Sequence, residues 1–104
     1  MNAKITLIVA LFIYPNRRAE FESFESRAAE IMSRVGGRIE RRIACSSADD
    51  TSAPDEVHVV TFPDVDSHNR YRESVELQAL ASLRASAIRK TVVWRGVELP
   101  AFDK

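Results

Sequence analysis

The stretch ITLIVALFIY, Ile5 to Tyr14, constrains the fold more than any other. Read as an extended chain it is apolar on both faces. Ile5, Leu7, Val9, Leu11 and Ile13 point one way, and Ile8, Ala10 and Phe12 the other. Its β-branched content suits a strand, and it is too short to cross a bilayer. A secretory leader shares this apolar character, but Pro15-Asn16-Arg17-Arg18 follows where a small-residue cleavage site would stand. We therefore read a buried central strand and expect no membrane partner. The lone cysteine, Cys45, cannot form an intrachain disulfide, which fits a reduced, cytoplasmic setting.

After Pro15, with Asn16 as the expected N-cap, Phe21, Phe24, Ala28, Ile31, Met32 and Val35 recur at helical spacing. Glu20, Glu22, Glu25, Arg27, Glu30 and Arg34 fill the other side, and Gly36-Gly37 ends the helix. Arg38–Cys45 alternates, with Ile39, Arg41, Ile43 and Cys45 on one side. Half of it is charged, which suits an edge strand. Ser46–Asp55 reads as a flexible connection and Glu56–Phe62 as a third strand. A second helix from about Val65 is expected to break near Ser74-Val75 before the face Leu77, Leu80, Ala81, Leu83, Arg84, Ala87. Ile88–Leu99 closes the pattern as a strand.

The order β-α-β-β-α-β is that of a ferredoxin-like α+β sandwich, an antiparallel sheet with helices on one face, within one domain of 104 residues. Right-handed crossovers place the first and third strands at the centre. The helices then cover one sheet face and leave an apolar face bare. We expect a second copy to cover it, giving a homodimer.

These segments resemble the dimeric α/β-barrel superfamily, and within it the DUF1330 family of unknown function. The resemblance rests on FESFESRAAEIMSRVGGRI, VVTFPDVDSHNRYRE, LQALASLRASA and TVVWRGVEL, with Gly36, Gly37, Arg38, Phe62-Pro63 and Arg84 at matching places. Val75 stands where such proteins often carry a proline. The resemblance implies a dimeric barrel with a pocket between sheet and helices. Its relatives include cofactor-independent monooxygenases and isomerase-like proteins.

Within that frame His58 is the candidate catalytic base, on the Glu56/Val60/Phe62 side of a central strand. The competing reading is a histidine satisfied by a neighbouring carboxylate. Tyr71 and His68 keep a claim on the interior side of the second helix, while Asn69, Arg70 and Glu73 face mostly away. Arg84, close to an apolar stripe, suits a carboxylate of a ligand or of the chain itself. Trp94 suits a pocket wall or a dimer contact. Cys/His clusters, H-x-x-x-H spacing and a glycine-rich phosphate loop are missing, so neither metal nor cofactor is expected. Charged residues are 29% of the chain and balance to zero, which argues against a nucleic-acid partner. The expected function is small-molecule binding, with or without turnover. The alternative is a non-catalytic module working through its two-fold sheet interface.

Overall fold

The computed structural model describes residues 3–46 and 51–102. Among these residues four strands and four helices follow in the order β1 (Ile5–Ile13), α1 (Arg18–Ser33), β2 (Arg38–Ala44), β3 (Glu56–Phe62), α2 (Val65–Arg72), α3 (Val75–Gln78), α4 (Ala81–Ala87) and β4 (Ile88–Gly96). The sheet order is β2-β3-β1-β4, with every neighbouring pair antiparallel. The ferredoxin-like α+β arrangement is therefore present. The two most apolar strands, β1 and β3, lie at its centre.

The helices lie on one face. Phe21, Phe24 and Ala28 of α1 meet Leu11, Ala87 and Ile88 in one buried cluster. Met32 meets Ile5, Leu7, Val60 and Phe62 in a second. Both clusters draw on the odd positions of β1, which explains why this strand is apolar at that face.

Local chemistry sets the element ends. Asn16 is no cap; it takes a left-handed turn at φ 63°, and Arg17 precedes the helix. The second helical region is cut twice. Asp64 caps α2 by accepting from the Ser67 amide at 2.7 Å, and Ser74 caps α3 by accepting from the Leu77 amide at 3.3 Å. The expected break at Ser74 is there, and a further turn at Ala79-Leu80 separates α4. Of the Ser46–Asp55 connection, residues 47–50 lie outside the described residues. Its end is tied down, since the Ile13 amide donates to Asp55 Oδ2 at 2.7 Å.

β2 is an edge strand, but its facing differs from simple alternation. The pairing shifts between Ile39 and Arg41, so Ile39 and Arg42 both come to the helix side, opposite Val60 and His58. Arg41 is sent to the outer face instead.

That outer face carries the cross-strand rows Val59–Ile8–Trp94 and Val57–Ala10–Val92. Trp94 is 55% exposed and Ile43 43% exposed there. Phe12 is shielded by Arg89 and Lys90, whose charged groups sit 5.1 and 5.2 Å from its ring. Beyond β4 the chain also leaves Val97, Leu99 and Phe102 in solvent.

Candidate functional site

β3 presents Glu56, His58, Val60 and Phe62 to the helix side by strict alternation. Two of these are polar and nearly inaccessible, with Glu56 3% and His58 2% exposed. Such groups need partners, and they find each other: His58 Nε2 lies 2.7 Å from Glu56 Oε1. Glu56 is held in turn by Arg18 and by Arg42, whose Nε and Nη2 donate at 3.0 and 3.1 Å. Both arginines also reach Glu22, at 3.1 and 2.8 Å. Burial pushes the Glu56 carboxyl up, yet the bonds from His58, Arg18 and Arg42 outweigh it and leave its pKa below the usual range. An ionised carboxylate can only accept, so Nε2 of His58 is the nitrogen carrying the proton. In the neutral ring Nδ1 is then the nitrogen with the lone pair.

Nδ1 looks toward Glu25 of α1, whose Oε2 is 3.9 Å away. Burial raises the Glu25 carboxyl above its ordinary range, against the smaller pull of His58. Glu25 does not belong to the solvated helix side where the sequence pattern put it. It follows Phe21 by four residues and precedes Ala28 by three, which is the buried stripe.

Between sheet and helices lies a cavity of about 370 Å³. Its walls are mainly apolar, including Leu7, Val9, Leu11, Phe24 and Phe62, and the polar groups are few. His58, His68, Tyr71 and Arg84 all line it, as does Glu25. The Tyr71 and His68 rings pack on Phe62 with centroids 5.5 and 4.8 Å away. Burial, helped by the Glu25 charge, pushes the Tyr71 hydroxyl up to about 12, so it stays a neutral donor at physiological pH. Burial, with Arg72 and Arg95 nearby, lowers the pKa of His68. Arg84 donates from Nη2 to Thr91 Oγ1 at 2.7 Å.

Four of the five residues singled out from sequence thus meet in one cavity. Trp94 is the exception, since it sits on the opposite sheet face opposite Ile8. Sequence reasoning did not single out Glu56, Glu25, Arg18 or Arg42. The signal for Glu56 was available: it shares a strand face with His58 at a spacing of two. Among the described residues no group of His, Cys, Asp or Glu is placed to hold a metal ion. No helix among them is long and apolar enough to cross a membrane.

A family model described as a domain of unknown function, DUF1330, matches residues 7–97. No curated protein matches the chain significantly. Solved structures share the fold. RPA0582, a protein of unknown function from Rhodopseudomonas palustris, aligns with a TM-score of 0.78 and 13% identity, over 97% of this chain and 86% of that one. SnoaB, a cofactor-independent oxygenase from Streptomyces nogalater, aligns at 0.70 and 17%, over 98% and 99%. A dabb family protein with a ferredoxin-like fold from Mesorhizobium loti aligns at 0.66 and 18%, over 93% and 98%. Identities this low speak for fold alone.

Proposed function

The chain belongs to the DUF1330 family, and we propose that its cavity binds a small organic molecule from which His58 takes a proton. The single observation behind this is the buried Glu56–His58 pair at 2.7 Å in the cavity lining, with the second imidazole nitrogen on the side of Glu25. Glu56 fixes the tautomer and stabilises the imidazolium that forms when Nδ1 takes the proton. The neutral Tyr71 hydroxyl, beside the Phe62 wall, donates to the oxygen on which negative charge develops. Apolar walls keep water away and strengthen both interactions. The substrate class is an organic molecule of ring size with an acidic C–H or O–H next to a carbonyl or aromatic system. Its deprotonated form is electron-rich, which is what oxygenation without a cofactor requires. SnoaB, described as such an oxygenase, shares the fold.

A second copy covers the outer sheet face in this reading, because the rows through Ile8 and Ala10 are apolar and Trp94 is exposed among them. The same face also favours the alternative of a non-catalytic module built around its interface.

The test is deuterium incorporation into bicyclic benzylic ketones, 2-tetralone first, followed by proton NMR. The wild-type protein should exceed buffer, and His58→Gln should fall to the buffer rate with an unchanged circular dichroism spectrum. Equal rates in the two proteins reject His58 as the base.

A further inference from the structure

Two arginines and one acid line the cavity. Arg72 and Arg84 line it, and neither forms an ion pair among the described residues. Arg18 and Arg42, by contrast, each hold two carboxylates, and Arg34 holds Glu30 and Glu76. Glu25 is the acid in the cavity lining. It forms no ion pair with Arg84 among the described residues, and the pull of the Arg84 charge on its carboxyl is smaller than the opposing effect of burial. Two guanidinium groups free of ion pairs thus stand at the rim of a mainly apolar hollow.

The position of Arg84 adds a length. It is bonded to Thr91 of β4, which stands opposite Leu11 of β1, while His58 of β3 stands opposite Val9 of β1. The proposed base and the guanidinium therefore sit on either side of β1, two strand spacings across and two residues along, roughly 12 Å apart. Val9 and Leu11 form an apolar floor between them. Arg84 uses one of its five donors on Thr91, and its planar fork can still take a carboxylate.

We propose that the ligand is an organic carboxylate on an aromatic or similarly apolar body, with the carboxylate held by Arg84 and the body lying across β1 toward His58. This rests on the reading of the cavity as a ligand site. It further assigns Arg84 to substrate selection rather than to packing.

The test is calorimetric titration of the full-length protein with 2-naphthoate and with its neutral counterpart 2-naphthamide, on the wild type and on Arg84→Gln. The expected result is a preference for the naphthoate of about tenfold or more in the wild type, as for a charge-assisted pair. Arg84→Gln should abolish that preference by lowering the naphthoate affinity. Binding of both probes without preference in the wild type overturns the carboxylate assignment while the cavity reading stands. A preference that survives in Arg84→Gln overturns the role of Arg84. Binding of neither probe overturns the carboxylate assignment and the cavity reading together.

Discussion

Glu56 and His58 are two residues apart on one strand, and their side chains meet at 2.7 Å on the buried face. The histidine is therefore satisfied by a carboxylate and is also oriented by it, so its structural role and the chemical role proposed for it rest on one contact. Replacing Glu56 by Gln keeps the shape and removes the charge that Arg18 and Arg42 surround. The arginine side chains are 51% and 44% exposed, so water takes up their unpaired charges. The cost should thus stay near about 1–3 kcal/mol, below that of a fully buried ion pair losing one partner. Urea unfolding of Glu56→Gln measures it, and a loss within a few tenths of a kcal/mol would show that Glu56 is not part of what holds the fold.

Two buried carboxyls should drive stability in opposite directions with pH. The folded-state pKa of Glu56 is lowered, so its contribution is present above its unfolded value and is lost as pH falls through the folded one. That of Glu25 is raised, so its contribution is full below its unfolded value and is lost as pH rises through the folded one. Glu25→Gln should therefore raise the urea midpoint at neutral pH. Glu56→Gln should flatten the acid limb below about pH 4.5. An unchanged acid limb in Glu56→Gln contradicts the first assignment, and a lower midpoint in Glu25→Gln contradicts the second.

Much of this was legible in the chain itself. The doubly apolar β1, the helical stripe from Phe21 to Val35 and the period-two face of β3 are local patterns. They set the topology and put His58 on the helix side. The facing of Arg42 was hidden, because the shift after Ile39 depends on how β2 pairs with β3 and leaves no mark in the alternation. Glu25 was misplaced because a carboxylate inside an apolar stripe is disfavoured unless other groups in the fold offset its burial, and a helical pattern cannot see the strand opposite. Trp94 was ambiguous because β4 presents side chains to both sheet faces, and only the pairing with Ile8 decides between them.

The paired glycines do two different things. Gly36 has φ 82°, a conformation that favours glycine and lets the chain leave α1. Gly37 is needed for space: a Cβ there would lie 2.5 Å from both Met32 Cγ and Phe62 Cε1. Phe62 is buried and carries the His68 and Tyr71 rings, so the displacement reaches the cavity wall. Gly37→Ala should cost about 1–3 kcal/mol, as overpacking does, and should also perturb the titration of Tyr71 near pH 12. Thermal melts and absorbance titration against a Tyr71→Phe reference check the two effects. A melt unchanged from wild type contradicts the close approach.

Trp94 gives the sharpest test of assembly. It lies in the row Val59–Ile8–Trp94, on the face that no helix covers, and more than half of its surface is open in the single chain. Two such faces placed against each other bury that ring twice, once from each copy. Aromatic residues at the centre of an interface commonly contribute about 2 kcal/mol or more. A glutamate at the same place adds a desolvated charge on each side of the two-fold axis, so Trp94→Glu acts against association from both subunits. Sedimentation equilibrium should give the wild type twice the 11.7 kDa chain mass, and the variant the single mass with an unchanged circular dichroism spectrum. A monomeric wild type refutes the covered face, and a variant that stays dimeric moves the interface to another surface.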